Sequence, residues 1–211
     1  DSDLSISYTF DWLKNVRTIG ENAFRAYTGN YESEVKSLFL YEDEDPNYVA
    51  TLVDYPYPFT NMVKIPKLTA AETIGARAFF FQAAIDSIEF GKSLRTVGDS
   101  AFMYCLSATT LRFPATLESI GVQAFFANAS VLDVTFEAGT TGVDIGTWAF
   151  AFCSGLSQVV FNGAEPPTIG LNVFNNELGE DDLGNDVDLF NEFRIYVPAG
   201  SEETFRTRCT A

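Results

Sequence analysis

Hydrophobic residues recur along this chain in triplets at the first, fourth and sixth positions of a short phrase: Ile85, Ile88 and Phe90; Ala108, Leu111 and Phe113; Val131, Val134 and Phe136; Leu156, Val159 and Phe161. The last two members of each triplet alternate with polar or outward positions, the two-residue period of a strand with one buried face. Eleven residues before the end of each triplet stands a phenylalanine that closes a second phrase, apolar-Gly-x-x-small-Phe. Its copies are Ile19-Gly20 with Ala23-Phe24, Ile74-Gly75 with Ala78-Phe79, Val97-Gly98 with Ala101-Phe102, Ile120-Gly121 with Ala124-Phe125, Ile145-Gly146 with Ala149-Phe150, and Ile169-Gly170 with Val173-Phe174. From the second copy on, the glycines fall 23, 23, 25 and 24 residues apart. Such a period means one strand-turn-segment-turn unit per repeat, stacked into a solenoid.

The triplet also fits Val35, Leu38 and Leu40, and then Val63 and Ile65 with Thr60 in the first slot. The long gap between the first two glycine phrases therefore reads as a turn that kept its strand. Tyr8–Phe10 and Ile195–Val197 complete a count of roughly eight strand-bearing turns of about 23 to 25 residues. The predicted fold is a single α/β unit over 1–211, a right-handed solenoid with a parallel sheet and short helical or 3₁₀ segments opposite it. Residues 1–18 are an N-terminal cap or first strand, 41–65 a degenerate turn with an insertion, 175–192 an acidic insertion and 198–211 a C-terminal cap.

In the cap, Ser201 reads as a helix N-cap followed by Glu202 and Glu203, and Phe205 folds back over the last core layer. The motif phenylalanines form an internal stack with one aromatic per turn, about 4.8 Å apart. The motif glycine allows a tight turn or a left-handed backbone, and the small residue at the fifth position allows close approach of neighbouring turns.

Taken together, the tandem Ile-Gly-x-x-Ala-Phe-x-x-Cys phrases, the Leu-x-x-Val-x-Phe strands, the run Pro166-Pro167-Thr168-Ile169-Gly170 and the terminal Ile195-Tyr196-Val197-Pro198-Ala199-Gly200-Ser201 resemble the BspA-like leucine-rich-repeat proteins. The resemblance covers residues 16 to 205. It implies a bacterial protein that is secreted or surface-attached, often through a lipid anchor, and that acts as an adhesin on host matrix proteins or other cells. The polar start Asp1-Ser2-Asp3 fits an exported chain whose signal has been removed, and no stretch approaches the ~18 apolar residues of a membrane span.

Cys105 and Cys153 each stand three residues after a motif phenylalanine, with Asn128 at the same place in the repeat between them. Two turns separate the cysteines, about 9 to 10 Å, beyond disulfide reach, so both are expected as free buried thiols. Cys209 has no evident partner. The tripeptide Asn128-Ala129-Ser130 has the form of a glycosylation sequon, but it falls on this buried ladder.

Charge and composition narrow the function classes. With 29 acids against 13 bases the net charge is -16, which repels nucleic acid and anionic membranes. The acidic run Glu180, Asp181, Asp182, Asp186, Asp188 and Glu192 does not match a calcium-loop template and reads as a solvated loop. The chain has no histidine, which removes His-dependent triads and His-ligated metals, and its glycines are spread one per turn, not clustered around a phosphate. No catalytic, cofactor or metal residue is expected. Glu89 and Asp133, on outward strand positions two turns apart, are too distant for a nucleophile pair.

Two surfaces are candidates for binding a protein or glycan ligand. One is the outward strand ladder with Lys64, Glu89 and Arg112; the other is the proline-spaced aromatic segment with Tyr55, Tyr57 and Phe59. The expected function is non-enzymatic adhesion at the cell surface, with a carbohydrate-binding or polysaccharide-handling component as the alternative.

Overall fold

The computed structural model describes residues 11–25, 36–39, 51–54, 67–83, 85–175 and 193–209. Its strands in chain order are β1 (Thr18–Ile19), β2 (Lys36–Phe39), β3 (Thr51–Asp54), β4 (Thr73–Ile74), β5 (Thr96–Val97), β6 (Thr110–Phe113), β7 (Ser119–Ile120), β8 (Asp133–Phe136), β9 (Asp144–Ile145), β10 (Gln158–Phe161), β11 (Thr168–Ile169) and β12 (Arg194–Tyr196). The apolar triplets form the longer strands, which pair in parallel in the order β12-β10-β8-β6. Each Ile-Gly phrase starts from a two-residue strand, and these form a second parallel ladder in the order β1-β4-β5-β7-β9-β11. The register is repeat on repeat: Phe113 faces Phe136, which faces Phe161, and Ile120 faces Ile145.

The third side of each repeat differs from the expected helical segment. It is a run of hydrogen-bonded turns whose N–H groups alternate between their own turn and the next repeat. Arg77, Phe79 and Phe81 donate to the carbonyls of Asp99, Ala101 and Met103 at 2.8, 2.7 and 2.9 Å. The backbone achieves this by placing a left-handed residue two after the motif glycine and, in four repeats, another two after the motif phenylalanine: Arg77 (φ 54) and Phe81 (φ 62), Ser100 (φ 53) and Tyr104 (φ 61). A left-handed residue costs about 1–2 kcal/mol and interrupts a helix. The inter-repeat hydrogen bonds offset that cost.

The motif glycines are therefore not the left-handed positions. They are sites of close approach: a Cβ on Gly98 would lie 2.6 Å from the Ala76 nitrogen of the preceding turn, and one on Gly170 would lie 2.5 Å from the Thr147 nitrogen.

The expected eight strands reduce, among the described residues, to four in the longer ladder and six in the shorter. The stretch read as a degenerate turn supplies no rung between β1 and β4. Thr18 and Ile19 pair directly with Thr73 and Ile74, and Gly75 N–H reaches the Ile19 carbonyl at 2.7 Å. β2, read as a solenoid strand, instead pairs antiparallel with β3. Tyr8–Phe10, Ile65 and the acidic insertion beyond residue 175 lie outside the described residues, the insertion up to residue 192.

The interior holds two aromatic columns. Phe24, Phe79, Phe102, Phe125, Phe150 and Phe174 stack with centroids 5.1, 4.9, 5.3, 5.3 and 5.7 Å apart and ring planes within 14° of parallel. A second column, from the strand phenylalanines Phe90, Phe113, Phe136 and Phe161, has spacings of 5.2, 5.1 and 4.7 Å. The columns meet edge to face, as at Phe113 and Phe125 (5.5 Å, 70°), the arrangement favoured by the ring quadrupole.

Between the columns and the turns runs a ladder of buried donors. Gln82, Cys105, Asn128 and Cys153 each donate a side-chain hydrogen bond to the motif-phenylalanine carbonyl one repeat earlier, Phe24, Phe79, Phe102 and Phe125, at 2.6, 3.3, 3.0 and 3.2 Å. Asn128 is buried, so its sequon is closed to glycosylation in the folded chain. Cys105 and Cys153 are free and buried.

At the C-terminal end, helix α1 (Glu202–Cys209) sets Phe205 5.5 Å from Phe161, extending the second column by a tilted ring. Ser201 stands at the N-cap position: its carbonyl accepts the first helical bond from Phe205 N–H at 3.0 Å, while its hydroxyl donates back to the Pro198 carbonyl at 2.5 Å.

Candidate functional site

Parallel register aligns the outward side chains of the longer strands into two rows: Arg112, Thr135, Val160 and Tyr196, and Thr110, Asp133, Gln158 and Arg194. Of the carboxylates weighed for catalysis, Asp133 accepts a hydrogen bond from Gln158 Nε2 at 2.5 Å and Glu89 pairs with Lys67 Nζ at 3.2 Å. Both are thus held by polar neighbours. Among the described residues no three His, Cys, Asp or Glu side chains group closely enough to hold a metal ion. Burial pushes the Cys153 thiol up to about 12 and raises Cys105 further still, so both thiols are protonated and unreactive in the folded chain.

The row ends in a groove. β6 pairs with β8 on one side, but no backbone hydrogen bond joins its other edge to residues 86–90 of the preceding repeat. The two repeats are pinned at either end of this opening. Ser107 Oγ donates to the Ala83 carbonyl at 2.9 Å, Thr116 Oγ1 to the Lys92 carbonyl at 2.8 Å, and Phe90 stacks on Phe113. What remains is a short cleft of about 360 Å³ lined by Ser87, Thr109 and Thr110, by Ile88, Phe90 and Pro114, and by charges of both signs.

Glu89 and Arg112 are brought together in this cleft, with Lys67, Lys92, Asp86 and Glu137 beside them. Lys64, Tyr55, Tyr57 and Phe59 lie outside the described residues. Elsewhere cations pair across one turn, Arg17 with Glu72 at 3.6 Å, Arg77 with Glu21 at 3.5 Å and Arg95 with Glu118. Lys92 and Arg112 make no ion pair among the described residues.

A second surface escaped the sequence reading. On the side of the turns, Phe80, Phe81, Tyr104, Phe126, Trp148 and Phe152 make one contiguous row by ring contacts of 4.4 to 6.4 Å, with the Arg25 guanidinium 5.0 Å over Phe80 at one end. These rings are half-buried, except Trp148, which is exposed. Leu171, whose carbonyl accepts from Trp148 N–H at 2.9 Å, is 76% exposed, and Val122 is 44% exposed. The signal was present as an aromatic one or two places after four of the six motif phenylalanines: Phe80-Phe81, Tyr104, Phe126 and Phe152. The left-handed backbone at Phe81, Tyr104 and Phe152 turns those side chains away from the core column.

Residues 55–179 match the family model for the BspA type leucine-rich-repeat region, in 6 copies. Among solved structures the chain is similar to the crystal structure of the pneumococcal vaccine antigen PcpA, at 23% identity and a TM-score of 0.53 over 89% of this chain. It is also similar, at 17% identity and a TM-score of 0.38 over 75% of its length, to a leucine-rich-repeat protein from Bacteroides ovatus. The chain spans 37% of the first of these and 43% of the second. No curated protein matches it.

Proposed function

The chain belongs to the BspA-type leucine-rich-repeat family, and from that premise we propose that it is an exported, non-enzymatic protein that adheres to other proteins at the cell surface through its repeat surface. The observation that carries this reading is the half-buried aromatic row from Phe80 to the exposed Trp148. Aromatic residues are enriched in protein interfaces, where a large rigid ring buries much area at small entropic cost. Within the row Phe126 and Trp148 lie 6.0 Å apart with planes 14° from parallel, and the other ring pairs meet tilted or edge to face at 35 to 89°. That a fold like this one is found in a pneumococcal vaccine antigen supports the exported reading.

The test is binding of the chain to a panel of immobilised matrix proteins, with Trp148→Ser and Leu171→Ser combined in one variant. A buried interface Trp is worth about 2 kcal/mol or more, so the variant should bind its partner at least about tenfold more weakly with an unchanged melting profile. Capture by saccharides alone, or full binding by the variant, refutes the reading. Turnover of a polysaccharide substrate would overturn the non-enzymatic part.

A further inference from the structure

We propose that the cleft between residues 86–90 and β6 binds an acidic saccharide, with the carboxylate of a uronic-acid unit taken by Arg112 and Lys92. The inference goes beyond protein adhesion and rests on different residues. It starts from charge. In a chain of net charge -16, cations are few; four of the described ones pair with an acid one turn away, whereas Lys92 and Arg112 line one cleft without an ion pair among the described residues. An unpaired arginine fork matches a carboxylate in shape and charge.

The remaining lining selects the kind of carboxylate. Asp86, Glu89 and Glu137 also face the cleft. Glu89 is neutralised by Lys67 at 3.2 Å, and Asp86 accepts from the Ser87 hydroxyl at 3.1 Å. Glu137 is exposed and makes no ion pair among the described residues. A densely sulfated chain carries more negative charge per unit and would be repelled more strongly by these oxygens. A uronic acid carries one carboxylate among several hydroxyls, and those hydroxyls donate to the acids while accepting from Thr109 and Thr110.

The break in the ladder adds unpaired N–H and C=O groups along the β6 edge, which suit the same mixed ligand. Shape argues against a peptide. An extended strand would need a long open edge, and this one is bracketed on either side, where Ser107 Oγ donates to the Ala83 carbonyl and Thr116 Oγ1 to the Lys92 carbonyl. A volume of about 360 Å³ is at the small end of ligand sites.

The experiment is calorimetric titration of the intact chain with a short oligogalacturonate, the matching neutral galactose oligomer and a glutamate-rich peptide. The oligogalacturonate should bind, more weakly as salt rises, and at least about tenfold more tightly than the neutral oligomer, the worth of a charge-assisted hydrogen bond. Combining Arg112→Gln with Lys92→Gln should weaken it by a similar factor, whereas Lys14→Gln, at an exposed lysine on the 3₁₀ turn Asp11–Asn15, should not. No binding of oligogalacturonate, binding that survives the double variant, or equal capture of the peptide overturns the proposal. The Trp148 and Leu171 variant should bind the sugar normally, so failure here and failure of the adhesive reading are separable.

Discussion

Replacing Phe125 by alanine tests whether the columns hold the solenoid together. Phe125 is fully buried, lies 5.3 Å from both Phe102 and Phe150 with planes within 5° of parallel, and meets Phe113 and Phe90 edge to face at 5.5 and 6.4 Å. Truncating a buried phenylalanine costs about 3–5 kcal/mol, and the upper end applies where the surroundings cannot collapse. Here they are fixed, because Phe102 N–H and Phe125 N–H bind the carbonyls of Ala124 and Ala149 at 2.8 Å and hold the repeats apart.

Phe125→Leu retains most of the buried area but loses the ring pairs, each worth about 0.5–1.5 kcal/mol, and should cost about 1–3 kcal/mol. At the end of the column, Phe174 is half-buried and stacks on one motif ring, Phe150, at 5.7 Å. Phe174→Ala should therefore cost about half as much as Phe125→Ala. Urea unfolding followed by circular dichroism gives the three differences. Equal losses at Phe125 and Phe174, or a loss below about 2 kcal/mol for Phe125→Ala, would refute a core organised by continuous columns.

Three further outcomes follow from the same geometry. Burial raises the Cys153 thiol from 9.0 to about 12, so above pH 9 the unfolded chain loses its proton first. Stability should be independent of this thiol below about pH 8 and fall by up to about 1.4 kcal/mol per pH unit toward pH 12, a slope that urea midpoints should show reduced in Cys153→Ala. Gly98→Ala places a Cβ 2.6 Å from the Ala76 nitrogen and should cost about 1–3 kcal/mol or more by the same assay, while Gly142→Ala, with nothing near its Cβ, should lose only the smaller cost of its positive φ. Phe205→Ala should leave the Phe161 end of the second column open and expose apolar surface, read as increased dye binding and a lower melting temperature.

The repeat was legible because each turn asks the same thing of its sequence. An inward Ile, a glycine where backbones touch and an inward Phe recur at one spacing, so a single period gave the stack, the buried thiols and the outward rows. The helical segments were misread because the left-handed positions are held by Arg77, Ser100, Gln123 and Trp148, residues with no conformational signature of their own. Only Asn22 and Asn172 at that position hint at it.

The strand at β2 matched the triplet pattern, but spacing cannot tell a parallel rung from an antiparallel hairpin, since both alternate with period two. Gln82 was missed in the donor ladder because its residue type differs from cysteine and asparagine, although it does the same work. Of the candidate site, Glu89 and Arg112 could be placed on the outward face from register alone. The cleft between them could not, because a missing set of backbone hydrogen bonds leaves no mark in residue identity.

The direct pairing of β1 with β4 frees the register of the ladder from the length of the sequence between them. Ile19 and Ile74 are neighbours in space although residues 20–73 intervene in sequence, and lengthening such an excursion adds only a slowly growing closure cost. Because β1 and β4 pair with each other directly, the register at this junction is set by the two rungs themselves, so the length of sequence between them can change while each keeps its partner.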